Sequence, residues 1–107
     1  MIGKDLLEMI SKVTVKLRER FNFETKKEEI LFKTTKLWEE VGEFNSEILK
    51  SLKIVRKEKL ENYDKTELEM ELADVILSAL TLADSLDIDV NKALNKKIEK
   101  IKNRWGI

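Results

Sequence analysis

The sequence predicts an all-α protein, a small four-helix bundle, and three observations predict it. The 107-residue chain has no proline and only three glycines, and these are the residues that most often interrupt a helix. Apolar residues recur at spacings of three and four along most of its length. Polar residues with helix-capping spacing stand where those patterns begin.

The first helix is expected over about 4–20, where Leu6, Ile10, Val13 and Leu17 form one stripe. The connection FNFETKK follows, and Thr25 with Glu28 has the capping-box spacing that opens a second helix. A face of Leu37, Val41, Phe44, Ile48 and Leu52 carries that helix to about residue 52. Residues 53–65, KIVRKEKLENYDK, lose the period and turn basic and polar, as either a helix extension or a mobile loop would. Thr66 with Glu69 is a second capping-box spacing, opening a third helix to about residue 86. DID at 87–89 breaks the pattern, and Asp89 is a candidate N-cap for a last helix through about 104. No repeat, low-complexity tract or linker divides the chain, so one domain over 1–107 is expected.

Basic and acidic residues both number 21, giving a formal net charge of zero. That argues against a nucleic-acid partner recognised through a broad excess of positive charge. Cysteine and histidine are absent, which excludes disulfides, thiolate catalysis and cysteine-ligated metals and removes the commonest general base. Any metal must be held by oxygen, which favours Mg²⁺ or Mn²⁺. The opening MIGKDLLEMISK lacks the pattern of a signal peptide, and VILSALTLA at 75–83 is too short to span a bilayer. A cytoplasmic protein with no membrane partner is expected.

Acids enter two amphipathic stretches. In the third helix Glu71, Asp74, Ser78, Thr81 and Ser85 form one polar seam through an otherwise apolar segment. Between residues 66 and 89 there are seven acids and no Lys or Arg, so ion pairs within the helix cannot neutralise them. The helix dipole accounts for Glu67 and Glu69 in the first turn. It does not account for Asp74, whose burial without a partner would be very costly, so a positive group is expected near it. On the second helix Glu40, Glu43 and Glu47 border the apolar face, while Glu39 points further towards solvent. Facing i,i+3 pairs from the two helices would gather four carboxylates, too much buried negative charge without divalent cations. Lys33 and Lys36 lie one turn before Glu40 and can pair with it, so a salt-bridged helix face stands as the other reading. Gly42 within the helix points to close approach of another helix or a ligand, or else is simply tolerated.

LWEEVGE, followed by ELADVILSALTLADSLDIDVNKAL and the basic tail KKIEKIKNRW, resembles the MazG-like all-α nucleoside triphosphate pyrophosphohydrolases. That family carries EExxE and then ExxD. Here these are Glu39, Glu40 and Glu43, then Glu71 and Asp74, with 27 residues between the motifs. The resemblance covers roughly 20–105. It implies hydrolysis of a nucleoside or deoxynucleoside triphosphate to the monophosphate and pyrophosphate, with Mg²⁺ (or Mn²⁺), in a house-cleaning role. It also implies a homodimer or homotetramer that completes the bundle and builds the site from more than one subunit. Carried over by position, Glu40, Glu43, Glu71 and Asp74 hold metal, and Glu39 is a nearby acid outside the ligand set. Glu39, Glu40 and Glu43 are the candidate catalytic acids, with Glu40 or Glu43 orienting or deprotonating the attacking water.

Gly3, Gly42 and Gly106 make no phosphate-cradling loop, so cationic side chains must share that work. The last helix offers six of them against the single acid Glu99. Lys100 and Arg104 share an i,i+4 face and match the family's basic tail, although a solvated basic face near a helix C-terminus has the same composition. Many members carry asparagine next to the tail lysine, where this chain has Ile101, and Asn103 is the open substitute. Phe21, Phe23, Trp38, Tyr63 and Trp105 can stack on a base or pack in the core. A competing reading is a non-catalytic helical interaction module, antitoxin-like or regulatory, whose acidic seam binds a basic partner. A carboxylate-bridged di-iron bundle would lack its Glu-x-x-His ligands.

Overall fold

The computed structural model describes residues 1–54 and 63–107. Among them the regular elements are four helices, α1 (Lys4–Phe21), α2 (Lys26–Ser51), α3 (Lys65–Ser85) and α4 (Val90–Trp105), with no strand.

Local chemistry sets the helix ends. The Thr25 hydroxyl accepts from the Glu28 backbone N–H at 3.1 Å, and the Glu28 carboxylate reaches back to the N–H of Glu24 at 3.2 Å. Asp89 caps α4 by accepting from the Lys92 N–H at 3.1 Å. The expected Thr66–Glu69 cap does not form. Asp64 is the N-cap of α3, its carboxylate accepting from the Thr66 N–H at 2.9 Å. Its negative charge also suits the positive end of the helix dipole, which a threonine hydroxyl cannot match. At the far end of α2, Lys53 adopts a left-handed φ of 60° while the Ile54 N–H closes on the Leu49 carbonyl at 2.9 Å. The helix therefore stops there and does not extend. Residues 55–62 of the expected helix-or-loop stretch lie outside the described residues, and Tyr63 and Asp64 lead into α3.

α2 and α3 are the principal packed pair, and α1 lies against α3. Residues contacted on α3 fall in number as those on α2 rise, Glu29 meeting Ser85 and Lys33 meeting Thr81, so the pair is antiparallel. Ile10 and Leu80 are the buried apolar side chains. Val13 at 36 % and Leu52 at 61 % exposure, expected on buried stripes, are exposed.

Much of the helix junction is polar. Lys33 and Glu29, each under a twentieth exposed, meet buried Thr14 and Ser85. The Lys33 ammonium donates to Thr14 Oγ1 (3.0 Å), the Thr81 carbonyl (3.3 Å) and Ser85 Oγ, using all three of its hydrogens. The Ser85 hydroxyl donates to Glu29 Oε2 at 2.7 Å, and Thr14 donates to Asp84 Oδ2 at 2.8 Å. Arg18 grips both Glu29 oxygens, and this pairing holds the Glu29 carboxyl down to about 2. Burial draws Lys33 below the ordinary lysine range.

The fourth helix is not packed into the bundle as expected. Asn91 ties its first turn to the N-terminal segment by two 2.9 Å hydrogen bonds with the Ile2 backbone. From Lys92 onward every residue is exposed, including the stripe Leu94, Ile98, Ile101 and Trp105. The radius of gyration, 17.0 Å, exceeds the roughly 13 Å of a compact chain near this length.

Candidate metal centre

The antiparallel register of α2 and α3 sets Glu40 and Glu43 opposite Glu71. One carboxylate oxygen from each of the three lies within 4.8 Å of the others. Glu43 is exposed, whereas Glu40 and Glu71 are half-buried. One oxygen of each half-buried acid, Glu40 Oε2 and Glu71 Oε2, is buried with no hydrogen-bond partner. Burial pushes both carboxyls above the ordinary glutamate range, and the charges of Glu43 and Asp74 push them further. Asp74, one turn along α3, thus acts on the cluster while lying outside the three-carboxylate group.

The salt-bridge expectation for Glu40 fails. Lys36 pairs with Glu39 at 2.8 Å, and Lys33 is committed to the buried network beside Glu29. Among the described residues no ion pair reaches Glu40, Glu43, Glu71 or Asp74, so the positive group expected near Asp74 is not a side chain described here. Glu39 is half exposed as expected. Glu47 is largely buried and paired with Lys50 at 3.0 Å. An all-oxygen donor set with two unpartnered buried oxygens and mutually raised carboxyls fits a hard divalent cation.

Other expected residues are not drawn in. Lys100 and Arg104 are exposed on α4, and among the described residues neither makes an ion pair or side-chain bond to the cluster. A Cβ built on Gly42 would meet nothing within 4 Å, so none of the described residues approaches it closely. Trp38 and Trp105 are at least 70 % exposed and contribute no core packing. Phe21 and Phe23 instead cluster with Phe32, with Phe21 and Phe32 centroids 4.7 Å apart. The buried network around Lys33 was missed. Its signal was Lys33's place on the same helical face as Ile30 and Leu37, with Glu29 one turn before it.

Fold and site describe an all-α protein organised around a carboxylate cluster on two facing helices. The chain belongs to the MazG family, the model for the MazG nucleotide pyrophosphohydrolase domain matching residues 27–105. That span takes in all of α3 and α4 and all but the first residue of α2, and leaves α1 outside. Comparison with curated proteins and with solved structures gives no match. Family membership implies a pyrophosphohydrolase with a nucleotide substrate. No helix among the described residues is long and apolar enough to cross a membrane.

Proposed function

We propose that this chain is one MazG-like domain over 1–107 that hydrolyses nucleoside or deoxynucleoside triphosphates to the monophosphate and pyrophosphate, cleaning nucleotide pools in the cytoplasm with Mg²⁺, or Mn²⁺ in its place. The observation that carries this reading is the Glu40–Glu43–Glu71 cluster with its two unpartnered buried oxygens, inside the family-matched span.

Glu40, Glu43, Glu71 and Asp74 would hold the ion. When bound it would offset the charge developing on the phosphate oxygens. Glu40 or Glu43 takes the proton of the water attacking the α-phosphorus. Glu39 stands outside the ligand set and keeps Lys36 beside it through their ion pair. Lys100 binds phosphate oxygens as a point charge and Arg104 through its planar guanidinium fork. The exposed stripe of α4 supports a homodimer or homotetramer, in which a second copy covers Leu94, Ile98, Ile101 and Trp105.

The test is pyrophosphate release from a panel of NTPs and dNTPs with Mg²⁺, alongside Glu40→Gln and Asp74→Asn. Activity that both substitutions abolish is expected. No release from any nucleotide, or full activity in both variants, would return the chain to the interaction-module reading.

A further inference from the structure

Between the Lys33 network and the carboxylate cluster, α1, α2 and α3 enclose a cleft of about 340 Å³. Phe21 and Phe32 form an aromatic wall, with Val13 and Leu17 beside them. Lys36 and Ser78 line the same cleft, each one helical turn from Glu40 and Asp74 respectively. The cleft therefore continues the acidic seam. The ammonium of Lys36 senses the acidic end of this arrangement, being raised by Glu39 first and then by Glu40 and Glu43.

An aromatic wall of two tilted rings, about two helical turns from the carboxylate cluster along α2, offers a surface on which a nucleobase can stack, since every base has a face to present. The polar lining narrows the choice. No Asp, Glu, Asn or Gln faces the cleft, and its charged groups, Arg20, Lys33 and Lys36, are hydrogen-bond donors only. The three Lys33 hydrogens are already placed on Thr14, Thr81 and Ser85. The Thr81 hydroxyl donates to the Leu77 carbonyl at 2.8 Å. What remains to meet a base is the Arg20 guanidinium, the Lys36 ammonium and the Ser78 hydroxyl. Ring carbonyls would be satisfied by these groups, whereas an exocyclic amine would find only hydroxyl oxygens.

We propose that this cleft is the base subsite and that it selects bases presenting a carbonyl, of uracil or hypoxanthine type, over their amino counterparts of cytosine or adenine type. The inference rests on the pyrophosphohydrolase reading above. Four of the lining residues, Val13, Leu17, Arg20 and Phe21, come from α1, outside the family-matched span, so this chain's own N-terminal helix supplies one of the three selecting donors, Arg20, and part of the apolar wall.

The test compares dUTP with dCTP and ITP with ATP by kcat/KM, with affinities for the non-hydrolysable α,β-imido dUTP and dCTP measured by calorimetry. The carbonyl member of each pair is expected to be favoured at least tenfold, mostly in KM and Kd, since a site built from donors leaves them unpaired against the wrong base. Arg20→Gln and Ser78→Ala, both at polar positions outside the aromatic cluster, should bring the ratio towards one, through KM and Kd. Phe32→Leu should weaken both members of a pair together. Equal kcat/KM within both pairs, or a ratio untouched by Arg20→Gln and Ser78→Ala, overturns the selection and leaves the catalytic reading standing. Absence of pyrophosphate from every nucleotide overturns both.

Discussion

Glu40 on α2 and Glu71 on α3 face each other across the helix seam, each with one buried carboxylate oxygen that has no hydrogen-bond partner. Both carboxyls are raised above their ordinary value, by burial first and then by neighbouring acids. A carboxyl raised by folding stabilises the fold below its unfolded pKa, and that contribution is lost as pH rises through the folded value. At neutral pH the pair therefore works against the fold unless a cation joins it.

Millimolar Mg²⁺ should accordingly raise the melting temperature at pH 7.5 and much less at pH 5, where protons compete for the same oxygens. An ion at a hundred times its dissociation constant contributes about 2.7 kcal/mol. Glu40→Gln should leave the metal-free melting temperature unchanged or higher while erasing the Mg²⁺ shift. Differential scanning fluorimetry at the two pH values checks this, and identical melting with and without Mg²⁺ at pH 7.5 contradicts it.

Glu29 titrates in the opposite sense. Arg18 holds it near 2 from an ordinary 4.5, so its contribution is present above about 4.5 and lost as pH falls towards 2. At one tenfold change per 1.4 kcal/mol, that depression corresponds to about 3 kcal/mol at neutral pH. Urea unfolding should show Glu29→Gln less stable by this order at pH 7, with the gap closing steadily between pH 5 and 2. A constant gap would remove the ion pair from the account.

The N-cap of α3 separates two neighbouring residues. Asp64→Ala should cost about 1 kcal/mol, and Thr66→Ala should stay within about 0.5 kcal/mol. Reversal of that order in equilibrium unfolding would restore Thr66 as the cap.

At Gly42 a methyl group has open space, so Gly42→Ala should stabilise α2 by about 0.8–1 kcal/mol. A loss of stability or of native mass would instead mean that a second copy approaches the α2 backbone there.

Ile98→Lys places a charge in the middle of the exposed α4 stripe. If the proposed homo-oligomer forms through this stripe, light scattering should show it falling to a monomer, while circular dichroism shows helix content retained. Unchanged mass would place the contact on another surface.

Helix number and the caps at Thr25 and Asp89 were legible because each follows from local spacing. The α3 cap was misplaced because NYDKTELE offers two candidates three residues from a glutamate, Asp64 before Glu67 and Thr66 before Glu69. Charge at the dipole decides between them, and spacing does not carry that information. Lys33 was legible only as a candidate partner of Glu40 on its own helix, because lysine is rarely buried. Its partners Thr14, Thr81 and Ser85 lie 19 to 52 residues away, beyond any local pattern. The stand-off of α4 was equally hidden, since an apolar stripe looks the same whether its partner is in this chain or another.

The Lys33 network bears on the metal centre from a distance. Apolar contacts tolerate sliding, but the bonds from Lys33 to Thr14, Thr81 and Ser85 are directional and tie three helices at one point. A slip of α2 along α3 by one residue, about 1.5 Å, would break them together. Lys33 lies seven residues before Glu40, roughly 10 Å along the helix. The buried ammonium is thus a pin that indexes one helix against the other, and the alignment of Glu40 with Glu71 is read from it.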